Sequence, residues 1–164
     1  MDNSFKAKTT TVSASMALGH KPERIFPLLC PVREYEWIEH WKCELLFTES
    51  GFNEMGCIFK TDFPEFGEET WVTSRYEPTK YVEFVRTSAD KVLLYSIALD
   101  ESANQTNLTW SLKLIGTTGK GNRWIKSYNP DEFRNMIGLL EKKLDYYLTH
   151  GEMYHEANNH ADSR

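Results

Sequence analysis

Cysteine is scarce: Cys30, Cys43 and Cys57 are the only three in 164 residues, and no Cys-x-x-Cys pair stands among them to hold zinc or exchange disulfides. We expect reduced, partly buried thiols. Histidine is nearly as sparse, and no two of His20, His40, His150, His155 and His160 stand at the i, i+4 spacing of a helical metal pair, so no metal is expected. Positive charge is in deficit, with 19 Lys and Arg against 24 Asp and Glu and a net charge of -5. That excludes a basic field able to condense on phosphate backbones or anionic lipid, and with it a nucleic-acid partner. No apolar run approaches the roughly 20 residues that span a bilayer, which argues against integral membrane association. The polar start Met1 to Ser15 lacks the apolar segment of a secretory signal, and a cytoplasmic location is the expectation.

What the chain does have is large side chains. Hydrophobic residues make up 40% and aromatics 13%, against 26% charged, which is the mixture of one globular domain rather than a disordered chain. Val12, Ala14, Met16 and Leu18 alternate with polar or small residues, the period of a strand with one face on a core, over about residues 7–18. Pro22 suits a first helical turn, and two small helices are expected through Phe26 to Trp37. Strands then follow from Trp41, Cys57, Trp71, Lys80, Val92 and Gln105, with Leu108, Trp110, Leu112 and Leu114 facing inward on the last. Gly116 to Gly121 reads as a flexible loop, because Gly121 stands where a phosphate-binding loop needs Ser or Thr. Asn129 as N-cap, Pro130 at the first position and the recurrence of Phe133, Met136, Ile137, Leu140, Leu144 and Leu148 predict a long helix ending near Gly151. Residues 1–151 therefore read as one domain and 152–164 as a polar, frayed tail.

The order β, α, α, six strands, α carries a resemblance. Pro22, Phe26-Pro27-Leu28-Leu29, the block Cys30 to Trp37 with Trp41 after it, Gly56-Cys57-Ile58-Phe59, Trp71 to Tyr76 and Tyr81 to Arg86 together resemble the START and pollen-allergen superfamily. This group is also called SRPBCC or polyketide cyclase/dehydrase-like. Glu39-His40 stands where one subgroup of it places a turn-forming Pro-Gly. The resemblance implies an α+β helix-grip fold, a curved antiparallel sheet around a long C-terminal helix, with a cavity between them for a small hydrophobic or amphipathic molecule. It implies no particular reaction.

Strand parity and helix face nominate the lining of that cavity: Trp41, Phe59, Trp71, Arg75, Phe84, Arg86, Tyr95, Trp110, Met136 and Leu140. An apolar wall with few polar groups suits a lipid, sterol or polyketide-like ligand, although the same residues filling a solid core is the competing reading. Arg75, Arg86 and Tyr95 are candidates to orient a ligand; an inward Arg is equally suited to pair with a carboxylate such as Glu34 or Glu36. No catalytic residue is assigned, since no inward Asp, Glu or His stands out and His40 reads as a solvated turn residue. No cofactor is implied, and a monomer is expected. Three functions stay open: a carrier or sensor without turnover, a cyclase or dehydratase using Tyr95, Arg75 or His40, and a protein-interaction module like the chaperone activators, which requires an exposed apolar patch.

Overall fold

Val12, Met16 and Leu18 are buried while Thr11, Ser13, Ser15 and Ala17 face water, so the alternation near the start of the chain builds β1, Thr9–Leu18. The same rule sets the two longest strands, β6 (Lys91–Ser102) and β7 (Gln105–Gly116), where every second residue from Leu93 to Leu99 and from Leu108 to Leu114 is buried. The computed structural model describes residues 4–156. Within them α1 (Pro22–Ile25) and two 3-10 turns, Phe26–Leu28 and Glu34–Glu36, connect β1 to β2 (Glu44–Phe47). β3 (Ile58–Phe63), β4 (Gly67–Glu77) and β5 (Tyr81–Thr87) follow, and α2 (Gly119–Ser127) and α3 (Pro130–His150) close the chain. All seven strands form one antiparallel sheet in the order β1-β7-β6-β5-β4-β3-β2, with α3 against β1. This is the helix-grip arrangement that the resemblance implies.

Local chemistry explains α3. The Asn129 side chain accepts from the Asp131 backbone N–H, Pro130 occupies the first turn, Asp131 and Glu132 face the positive helix end, and Gly151 leaves at φ 70°. Its buried face is Phe133, Ile137, Lys143, Leu144 and Leu148.

Several expectations are corrected. The segment read as a flexible Gly-rich loop is the start of a helix. Thr118 caps α2 by accepting from Gly121 N–H at 3.1 Å, and its hydroxyl donates to Asp90 Oδ1 at 2.6 Å. A Cβ on Gly121 would lie 1.8 Å from the Asp90 carbonyl oxygen, so this glycine is required by close approach of two backbones. Past Gly151, Tyr154 is buried and its ring meets Tyr146 at 5.4 Å, His155 Nδ1 lies 3.1 Å from Glu39 Oε1, and Lys143 Nζ lies 3.7 Å from Glu156. The remainder of the tail, residues 157–164 with His160, lies outside the described residues. β2 starts three residues later than the strand expected from Trp41, and Leu45 and Phe47 on it are exposed. Where the resembling subgroup has Pro-Gly, His40 adopts φ 65°, the left-handed region in which histidine is tolerated better than most side chains.

Two glycines give a matched test. Gly138 sits exposed in the middle of α3 with nothing within 4 Å of a built Cβ, so Gly138→Ala should stabilise the protein by about 0.5–1 kcal/mol. Gly121→Ala should destabilise it, because the Asp90 backbone must move. Urea unfolding of both variants checks the pair; the reverse order would remove the close-packing account of α2.

Candidate functional site

The inner face of the sheet is an aromatic floor. Across β3, β4, β5 and β6 the register places Phe59 beside Trp71, Trp71 beside Arg86, and Phe84 beside Tyr95. The rings touch in sequence: Phe59 and Trp71 stack at 5.1 Å, Trp71 meets Tyr95 at 5.9 Å, Phe84 meets Tyr95 at 6.4 Å, and Tyr95 meets Trp110 at 5.8 Å. Phe133 of α3 stands edge-on to Tyr95 at 6.4 Å, so this tyrosine joins sheet to helix. Sequence reasoning thus brought together Phe59, Trp71, Phe84, Arg86, Tyr95 and Trp110, all buried on one face. Met136 and Leu140 approach the core from α3 and are half-buried. Trp41 lies before β2 rather than in it, with its ring 5.4 Å from Phe63 and its Nε1–H donated to the Pro31 carbonyl at 2.8 Å.

Arg75 is a correction. The pairing of β4 with β5 shifts between Thr73 and Arg75, and the extra residue, Ser74, turns Arg75 out of the inward parity. Its guanidinium is exposed, bonded to Glu77 at 2.8 Å and stacked over the Tyr81 ring at 4.3 Å.

Arg86 keeps its inward place with a partner the sequence reading did not name. Its Nη2 donates to Glu69 Oε1 at 2.5 Å, with side chains 3% and 1% exposed. The guanidinium also lies 4.1 Å over Trp71, 4.5 Å over Phe66 and 5.5 Å from the Tyr95 ring. Neither Glu34 nor Glu36 is its carboxylate. Phe66 packs against Trp124 and Tyr128 of the α2 end at 6.0 and 6.4 Å, above Arg86. Lys91 closes the same end, its Nζ donating to the Phe66 carbonyl at 3.2 Å and lying 4.4 Å over Trp124.

Glu34 is the residue that sequence reasoning undervalued. In a 3-10 turn residues i and i+3 eclipse, so Glu34 shares a side with Trp37, which is wholly buried and donates Nε1–H to the Leu28 carbonyl. Arg33 and Glu36 share the other side and pair at 2.7 Å, and Glu36 also accepts from the Tyr147 hydroxyl of α3. The Glu34 carboxyl bonds to no described residue, and desolvation by the protein around it pushes it up to about 8. Its charge is felt at the Cys43 thiol and the Tyr95 hydroxyl, both of which burial raises first. The Tyr95 hydroxyl likewise has no partner among the described residues, nor does the buried Trp110 Nε1–H. Burial also pushes the Cys57 thiol up to about 11, so it is no nucleophile at neutral pH.

Two surface clefts lie elsewhere. One of about 250 Å³ is lined by Phe26, Leu29, Cys30, Phe52, Asn53 and Tyr76 among others, and one of about 570 Å³ runs between Glu23 and Arg24 and the end of α3. Five large apolar side chains are exposed on β2 and the loop after it, Leu45, Leu46, Phe47, Phe52 and Met55.

No family model and no curated protein matches the chain. Solved structures do match. Major latex-like protein 151 from Panax ginseng superposes with a TM-score of 0.62 at 13% identity, over 85% of this chain and 97% of that one. The Aha1 dimer from Colwellia psychrerythraea gives 0.60 at 14% identity, over 87% and 98%. DynU16, from the dynemicin biosynthetic locus, gives 0.59 at 17% identity, over 87% of this chain and 48% of the longer neighbour. The chain has the helix-grip fold that these structures share. In this helix-grip protein the expected sheet and C-terminal helix are therefore in place, and identities this low transfer the fold and not the activity. No helix among the described residues is long and apolar enough to cross a membrane.

Proposed function

We propose that this protein binds one small apolar or amphipathic molecule, of lipid, sterol or polyketide-like character, between the inner face of the sheet and α3, as a carrier or sensor. The observation that carries this reading is an aromatic floor of five rings in contact, Phe59, Trp71, Phe84, Tyr95 and Trp110, in which the buried Trp110 Nε1–H is left without a protein partner among the described residues. Folded proteins pair their buried polar groups, and a ligand site is the setting in which a few polar groups wait among apolar walls. The ginseng and dynemicin-locus structures support the fold on which such a site is built. A cytoplasmic monomer remains part of the proposal.

Native mass spectrometry of the protein from its own host tests it, by looking for a co-purified small molecule. Trp110→Leu should lower retention of that molecule at least tenfold, whereas Trp124→Leu, which alters a half-buried ring on α2, should change it less than threefold. Equal losses, or a molecule seated in the cleft beside Tyr76, would move the site away from the sheet.

A cyclase or dehydratase reading gains one observation. Glu34 is a half-buried acid that the sequence reading did not single out, pushed up to about 8 by desolvation. Conversion of the co-purified molecule by wild-type protein, lost in Glu34→Gln, would establish it.

A further inference from the structure

We propose that the cleft between the Phe26 to Cys30 turn, the loop after β2 and the end of β4 is a second binding site, and that it takes an uncharged bicyclic aromatic molecule carrying one oxygen. The cleft shares no lining residue with the aromatic floor and is a separate site whether or not the interior is occupied.

A local irregularity of the chain builds it. The bulge at Ser74 that turns Arg75 outward turns Tyr76 inward, opposite the fully buried Val82. The Tyr76 ring then meets Phe26 at 5.3 Å, tilted by 59°, and the buried Leu29 completes that apolar wall. The loop after β2 adds Phe52 and Asn53. Hydrogen bonds hold this loop in place: the Phe52 carbonyl accepts from the Thr48 hydroxyl at 2.7 Å, Asn53 Oδ1 accepts from the Thr73 hydroxyl at 2.6 Å, and the Asn53 backbone N–H donates to Cys30 Sγ at 3.2 Å. An ordered turn therefore presents the Phe52 ring, 53% exposed, at the cleft. Walls fixed by the protein's own hydrogen bonds make a pre-formed site.

Size, shape and polarity name the occupant. The cleft holds about 250 Å³. A cavity of about 150 Å³ takes one benzene ring, so two fused rings fit here. Walls made of the Phe26, Tyr76 and Phe52 rings suit a flat guest. Asn53 and Cys30 are already engaged, Asn53 also donating Nδ2–H to the Leu29 carbonyl at 3.5 Å. The Tyr76 hydroxyl bonds to no described residue, and burial keeps it neutral, so it offers an O–H donor to a ligand oxygen. Ions gain less. The Arg33 guanidinium in the lining is bonded through Nε and Nη2 to Glu36 at 2.7 and 3.2 Å, which leaves little attraction for an anion. No Asp or Glu lines the cleft to receive a cation.

Calorimetric titration at pH 7 with 2-naphthol, naphthalene and 2-naphthoate tests this, with amide proton–nitrogen spectra of the wild-type protein locating the bound probe. 2-Naphthol should bind about fivefold more tightly than naphthalene, the worth of one hydrogen bond, and exceed 2-naphthoate by at least as much. Its largest shift changes should fall on Leu29, Cys30, Asn53 and Tyr76. Tyr76→Phe should abolish the preference for 2-naphthol over naphthalene. Phe52→Ala, at an exposed position where folding is not at stake, should weaken both by about fivefold, and Trp110→Leu should leave both within twofold. Largest shift changes at Tyr95 and Trp110 overturn the cleft site while supporting the interior one. Equal binding of 2-naphthol and naphthalene, or a preference that survives Tyr76→Phe, overturns the placing of the ligand oxygen. Preference for 2-naphthoate overturns the uncharged class, and absence of binding by all three overturns the site.

Discussion

Replacing Arg86 with methionine should lower the unfolding free energy by about 3–5 kcal/mol, because it leaves the Glu69 carboxylate, 1% exposed, without its cation. For a chain of 164 residues that corresponds to a melting temperature lower by roughly 6–20 °C. The effect should be asymmetric. Glu69→Met leaves the guanidinium between the faces of Trp71 and Phe66, which compensate part of the lost charge partner, so its cost should be smaller. The double variant, Arg86→Met with Glu69→Met, should recover most of the loss, since replacing a buried ion pair by apolar groups of similar volume is close to neutral. Denaturant unfolding of all three variants at pH 7 gives the coupling directly. A loss under about 1 kcal/mol in Arg86→Met would mean that water reaches the pair and that this end of the core is open.

Raising the pH from 5 to 8 should destabilise the wild-type protein relative to Glu34→Gln. A carboxyl near 4.3 in the unfolded chain and pushed up to about 8 when folded keeps a proton that the unfolded chain has released. Folding in that window takes up a proton, so stability is greatest at its acid end and falls as pH rises through it. The slope is at most about 1.4 kcal/mol per pH unit and is reduced by the solvent that reaches one flank of this half-buried residue. Glu36, Glu39 and Glu54, held low chiefly by hydrogen bonds from Arg33, His155 and Ser50, act in the opposite sense, and their contribution is lost only on acidification. Parallel stability curves for the two proteins across pH 5–8 would show that Glu34 is hydrated and ionises normally.

The strands were legible because their alternation is long. Twelve residues in β6 and twelve in β7 leave no ambiguity of period, and α3 announces both its ends by Asn129-Pro130 and Gly151. α2 was not legible, since two glycines in its first turn argue against a helix, and only the contact with the Asp90 backbone and the Thr118 cap makes it favourable. Arg75 was misplaced because a bulge leaves no trace in simple parity. Glu69 was within reach, two positions before Trp71 and so on the same face, but only once β4 is extended back to Gly67. Glu34 follows from period three rather than two or 3.6, and a turn of three residues is too short to reveal a period. Leu45 and Phe47 alternate properly, yet theirs is an edge strand and both side chains are exposed, and alternation alone does not say which strands are covered.

The ring chain on the floor also makes the protein its own optical instrument. Tyr95 sits 5.9 Å from Trp71 and 5.8 Å from Trp110, centre to centre, well inside the range over which excited tyrosine hands its energy to tryptophan. Light absorbed at the centre of the sheet is therefore emitted by two indoles on the same buried face. A guest entering there changes the colour and the lifetime of that emission, so occupancy can be followed in the unmodified chain without a dye.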